Sequence, residues 1–253
     1  MSIFEEYIGI DYSGAQYPTQ RIKEIEVYEA RSDQSAERIR PNPDMPGWNW
    51  CRKALAEWLV QKLSGNQRVI VGIDHGFSFP ISYMGDHNLP DWRSFLDHFA
   101  SKYPTHEEAV QNLLDDGRLP VGDPGQMRLT EAWTPSAKSV FKFRGQGTVA
   151  YATHAGIPWL KYLTENVRVH FWPFDGFDVP KGVSVVAEVY PAMFKMRYSF
   201  QRKMNEHQRD AYAVCKWLQD RDQNDLLEPY FSPPLRRGEM DQAMLEGWLL
   251  GVM

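Results

Sequence analysis

Several familiar signatures are missing from this chain. It has only two cysteines, Cys51 and Cys215, in separate helix-like segments with no metal-ligand spacing between them. That gives no disulfide framework, and both read as small apolar residues. Excess base is also missing: the net charge is −5. Broad, non-specific nucleic-acid affinity depends on Lys and Arg neutralising phosphates, so the total argues against it while leaving room for a local basic groove. No window approaches the roughly twenty apolar residues of a membrane span. The N-terminus, "MSIFEEYIGID", is acidic and runs directly into an apolar strand, unlike a signal peptide, so a cytoplasmic protein is expected. There is no solenoid repeat and no low-complexity tract. No histidine pair has i,i+4 ligand spacing, and no Ser-His-Asp or Cys-His order stands out.

Aromatic residues, by contrast, are plentiful. Nine Trp and thirteen Phe can supply the core of one large domain in a chain of 253 residues. Tyr7 to Asp11 reads as a strand buried on both faces. "RIKEIEVYEA" alternates, with Ile25 and Val27 on one side and Glu24 and Glu26 on the other, which predicts an antiparallel strand with one wet face. "WNWCRKALAEWLVQKL" predicts a helix that stops at Gly65-Asn66. "RVIVGID" is the next buried strand. Residues from about 81 to 165 read as a long helical and loop insertion on one face. Within it Trp92, Phe95, Leu96 and Phe99 stand at helical spacing, and Thr105 with Glu108 forms a capping-box pattern. "NVRVHFW" and "GVSVVAEVYP" predict two later strands, and "NEHQRDAYAVCKWLQ" and "GEMDQAMLEGWLLGV" two helices. The expected fold class is α/β, a mixed sheet flanked by helices in a single domain over residues 1–253.

The chemistry lies in acids placed where acids are unusual. "YIGID" and "IVGID" are apolar runs that both end in aspartate, at Asp11 and Asp74, and "VSVVAEV" carries Glu188 near its end. Buried strands deplete carboxylates, because desolvating one is costly unless something pairs with it. At about 100° per residue, Asp210 falls on the apolar stripe of its helix with Val214 and Trp217, and His207 shares that stripe. Any one of these acids could equally cap a turn or pair with a base such as Arg197 or Arg209. Together they predict a magnesium or manganese site. Mg²⁺ takes hard oxygen ligands, few of them from protein. Two such ions can activate a water and stabilise a leaving oxygen.

Other residues are candidates for substrate contact. Lys138, Lys142 and Arg144 precede Gly145 and Gly147 in "AKSVFKFRGQGT", a basic glycine turn before a helix that suits a phosphate. It lacks the Gly-Lys-Ser/Thr ending of a Walker loop. A plain exposed basic loop is the alternative. "KMRYSFQRK" is a second basic run, in which Lys195, Arg197, Arg202 and Lys203 could line a groove with Tyr198 and Phe200 as stacking platforms, or could form a solvated face over two buried rings. Ser13, His75 and His207 lie close to the acids, as substrate donors or as ordinary hydrogen-bond partners.

The order of strand, strand, strand and helix acids resembles the ribonuclease H-like fold. The phrases "GIDYSGA", "VGIDHGFSFP", "RLTEAWTPSAKSVFKFRGQGTVAYATHAGIPWL", "AEVYPAMF", "HQRDAYAVCKWL" and "EGWLLGV" resemble a predicted nuclease family of that superfamily, domain-of-unknown-function family 429. The resemblance implies a ribonuclease H-like sheet and a metal-dependent nuclease. Asp11, Asp74, Glu188 and Asp210 would hold Mg²⁺ or Mn²⁺, and a short or structured nucleic acid would be the substrate. Two other functions compete. A phosphotransferase or ATPase would use a related core, though such proteins normally show two copies of it. A non-enzymatic binding module would use the acids to hold a structural cation or basic side chains.

Overall fold

The computed structural model describes residues 2–42, 44, 48–120, 122–145 and 148–253. Six strands form one sheet: β1 (Glu6–Asp11), β2 (Glu26–Arg31), β3 (Glu37–Ile39), β4 (Val69–Asp74), β5 (His170–Trp172) and β6 (Val185–Glu188). Their spatial order is β3-β2-β1-β4-β6-β5. The first three strands form an antiparallel meander, while the β1–β4, β4–β6 and β6–β5 pairings are parallel. The expected mixed α/β sheet is therefore present. β1 and β4 carry the near-continuous apolar runs of strands covered on both faces.

Alternation sorts the side chains of these strands onto two faces. Tyr7, Ile70, Val185, Ala187 and Val189 pack with Ala211, Val214 and Leu218 of α7 (Glu206–Gln223). Ile8, Ile10, Val71, Ile73 and Val186 join the opposite cluster, with α1 (Arg52–Leu63) and the segment 81–165. That segment folds as α2 (Ile81–Asp86), α3 (Trp92–Lys102), α4 (Val110–Asp115), α5 (Leu129–Trp133) and α6 (Ala150–Asn166). Trp92, Phe95, Leu96 and Phe99 are buried as their spacing predicts. Each such aromatic or leucine contributes about 1.5–3 kcal/mol by leaving water. A final helix, α8 (Arg237–Glu246), packs beside α5 next to the end of β6.

The helix ends follow local chemistry. Cys51 caps α1, its sulfur accepting from the Ala54 amide at 3.4 Å. Asp91 caps α3, accepting from the Ser94 amide at 2.7 Å. Asn205 and Gln208 form a reciprocal capping box at the start of α7.

Two expectations fail here. Thr105 and Glu108 make no capping box: α4 begins later, at Val110, and the Thr105 hydroxyl instead donates to the His154 carbonyl at 2.6 Å. The face of β2 that carries Glu26 is not wet either. Glu26 is only 2% exposed, because α7 covers that face and Arg38 binds the carboxylate through two nitrogens at 2.5 and 2.6 Å. Among the described residues no helix is long and apolar enough to cross a membrane.

Candidate active site

Parallel pairing sets the geometry of the site. In the β1–β4 ladder Gly9 lies opposite Gly72, and two residues on Asp11 lies opposite Asp74. Both aspartates therefore share the α7 face at the carboxyl ends of the central strands, where open α/β sheets usually take their ligands. A Cβ on Gly9 would stand 2.3 Å from the Ala211 carbonyl oxygen and 2.4 Å from the Cys215 nitrogen. Glycine in β1 thus lets the backbone of α7 lie directly on the strand. That close approach brings His207 and Asp210 to the two aspartates, as the helical stripe predicts.

On its other side Asp11 is in register with Glu26 of β2. The result is a row of three carboxylates, Glu26, Asp11 and Asp74, across adjacent strands. Arg38 binds Glu26, and His207 Nδ1 lies 2.7 Å from Asp11 Oδ2. Among the described residues Asp74 forms no ion pair. The electrostatics match. Burial lifts the Asp11 carboxyl to about 6 against the pull of the His207 hydrogen bond. Burial, then the adjacent Asp11 charge, then Asp210 push Asp74 well above the usual carboxylate range. Asp210 is raised by burial, with Lys195 Nζ 3.2 Å from its Oδ1 working against that. The His207 hydrogen bond to Asp11 raises the imidazole above its ordinary value.

Glu188 lines the same cleft but reaches it from the other face of the sheet. In the β4–β6 ladder it lies opposite Ile73, not Asp74, so alternation turns it to the other face of the sheet. There it is bound bidentately by Arg128, with Nη1 donating to Oε2 at 2.7 Å and Nη2 to Oε1 at 2.5 Å. The Phe77 amide donates to Oε2 at 3.0 Å. Arg128 also donates from Nε to Glu131 Oε1 at 3.0 Å, and all three side chains are buried. Burial alone would lower the Arg128 pKa, but the Glu188 and Glu131 charges outweigh it and drive the pKa up. The four acids expected from the sequence thus line one cleft, three of them aspartates on the α7 face and the fourth, Glu188, held by Arg128 with its charge adding to the upward push on Asp74. Among the described residues no group of three or more His, Cys, Asp or Glu side chains is arranged to hold a metal ion.

The acids line a cleft of about 560 Å³. Ser13 and His75 line it as well. The Ser13 hydroxyl accepts from the Ala15 amide at 3.3 Å, so it shapes the turn after β1. His75 is buried between Tyr12 and Phe77, and Gly156 of α6 leaves room for its ring. Burial depresses it to about 4, so it is neutral at pH 7 and donates from Nδ1 to the Gly76 carbonyl at 2.9 Å. Of the first basic run, Lys138 lines the cleft, whereas Lys142 and Arg144 line the depression beside it. Gly145 takes a left-handed φ of +85°, the turn its residue type favours. Gly147 lies outside the described residues. In the second run Lys195 reaches Asp210, but the rings are engaged: Tyr198 and Phe200 pack edge-on against Tyr212, and Arg209 lies over Phe200. Both rings are half-buried, and neither lines the cleft.

Sequence reasoning missed Arg128, Glu131 and Glu26. Arg128 lay within a stretch read as a basic loop. The one available signal was its i,i+3 spacing to Glu131. No protein-family model, curated protein or solved structure matches this chain.

Proposed function

We propose that the cleft is the active site of a divalent-cation-dependent nuclease on a ribonuclease H-like sheet, as the resemblance to family 429 implies. The observation that carries this reading is the in-register row of Glu26, Asp11 and Asp74. Its first two members are answered by Arg38 and His207, while the third forms no ion pair among the described residues. Aligned buried carboxylates are costly unless a proton or a cation compensates them, and a divalent ion would displace the proton that the raised Asp74 retains.

This donor set suits Mg²⁺ or Mn²⁺, which needs one or two carboxylates and takes the rest of its shell from water and substrate phosphate. Asp11 and Asp74 would hold the ion, with Asp210 beside it as an acid not committed to the cation. With Glu188 bound by Arg128, the set favours one ion over two. When bound, such an ion polarises a phosphoryl oxygen and favours hydroxide at neutral pH.

The chain's own residues account for the rest. A water oxygen bonds to phosphorus and the bond from phosphorus to one sugar oxygen breaks. The water's proton passes to a carboxylate of the cleft, Asp210, which the half-buried Lys195 contacts at 3.2 Å. His207, oriented through Nδ1 by Asp11, has Nε2 with which to protonate the departing sugar oxygen. Lys138 supplies positive charge in the cleft.

The test is a panel of single-stranded, structured and duplex DNA and RNA, with Mg²⁺, Mn²⁺ or chelator. Cation-dependent cleavage that disappears in Asp11→Asn is expected. Cleavage that survives both chelation and that substitution would overturn the reading.

A further inference from the structure

Resting on that reading, we propose that the substrate is an extended single strand of nucleic acid lying in one groove of three successive depressions. The acid cleft is the middle one. A neighbour of about 490 Å³ shares Ser136 and Tyr190 with it, and a second of about 880 Å³ shares Ala137 and Lys138. The segment from Trp133 to Arg144 forms a wall of all three. The groove therefore runs along one strap of chain.

The strap is fixed from within. Thr134, Ser139, Val140, Phe141 and Phe143 are buried along it, and the Ser139 hydroxyl donates to the Gln126 carbonyl. Ser136, at the junction of the first two depressions, holds a φ of +68°, a conformation a serine keeps only where its surroundings impose it. Between these anchors Trp133, Ser136, Lys138 and Arg144 face solvent.

Each end offers a different chemistry. At one end Trp133 is 39% exposed, with its ring held edge-on against the fully buried Trp248 at 5.5 Å. Tyr190 and Tyr230 line the same depression. Fixed rings half open to water suit the π-face of a base. At the other end Lys138 and Arg144 present positive charge, which suits the phosphates of a backbone. A strand with a phosphate over the aspartates would lay a neighbouring base towards Trp133 and the phosphates on its other side along Lys138 and Arg144. A duplex hides its base faces in the stack, so the aromatic end selects against it.

The test uses the full chain carrying His207→Gln, which removes the proposed acid but leaves the aspartates that would hold the ion, in magnesium buffer, so that binding is read with little turnover. Fluorescence anisotropy would follow labelled single-stranded oligodeoxynucleotides and oligoribonucleotides and the matching duplexes. The strap predicts single strands bound at least about tenfold more tightly than duplex. Adding Trp133→Ala should weaken single-strand binding about tenfold, with Trp133→Phe recovering most of it. Lys138→Glu with Arg144→Glu should weaken binding and flatten its salt dependence. Equal binding of duplex, no binding of any oligonucleotide, or indifference to Trp133→Ala would overturn the proposal. The two claims fail separately. Cleavage that keeps its full strength in Trp133→Ala sinks the groove and leaves the nuclease. Single-strand binding that depends on Trp133, with no cleavage by the native chain, does the reverse.

Discussion

Gly9 and Gly72 stand directly opposite each other in the β1–β4 ladder, and α7 rests on both. This is why two strands more than sixty residues apart share the phrase Gly-Ile-Asp. The glycines make the bed for the helix, and the aspartates two residues further on meet what the helix carries. At Gly9 an added methyl would strike backbone, the Ala211 carbonyl oxygen at 2.3 Å, whereas at Gly72 it would meet the Val214 side chain at 2.7 Å. Gly9→Ala should therefore cost about 3 kcal/mol and Gly72→Ala about 1 kcal/mol, since a side chain yields more easily than a helix backbone. Urea unfolding of the two variants checks the order. Equal losses would mean that α7 does not sit on β1 as described.

The Arg128–Glu188 pair should behave as a buried structural pair. Arg128→Met leaves Glu188 and Glu131 without their cation and should cost about 3–5 kcal/mol. Glu188→Gln leaves Arg128 its bond to Glu131, so it should cost less and leave magnesium affinity at the native level. Denaturation and calorimetry on the two variants check this. Loss of magnesium binding in Glu188→Gln would return Glu188 to the cation site.

His154 gives a pH signature away from the acids. It is fully buried among Phe79, Phe99, Phe141 and Phe143, and donates from Nδ1 to the Ala150 carbonyl at 2.8 Å. Burial depresses it to about 4. A histidine held neutral in the fold contributes its full stability above its unfolded pKa of about 6.5 and loses it as the pH falls through the folded value. The stability gap between the native chain and His154→Gln should thus shrink by about 3 kcal/mol from pH 7 to pH 4. A gap that does not change with pH would place His154 in contact with water.

Much of this was legible in the residues. Apolar runs marked β1 and β4, aromatic spacing marked α3, and helical phase placed His207 and Asp210 on one stripe. The acid at the end of each Gly-Ile-Asp run was visible as a carboxylate where a strand should not have one. What escaped depends on register between distant segments. Nothing local in "VSVVAEV" says that Ala187, not Glu188, aligns with Gly72, and that one-residue offset moves Glu188 to the other face of the sheet. Glu26 looked solvent-facing because its strand alternates, yet α7 covers both its face and that of β1. Arg128 looked like surface base because burying a guanidinium requires partners, and Glu188 lies sixty residues away.

Magnesium and manganese titration by calorimetry on the native chain, Asp11→Asn and Glu188→Gln tests the cation site directly. Binding in the native chain, loss of it in Asp11→Asn and retention in Glu188→Gln are expected. Absence of binding in the native chain through the millimolar range, or equal binding in Asp11→Asn, would contradict the claim that the paired strand-end aspartates hold a cation.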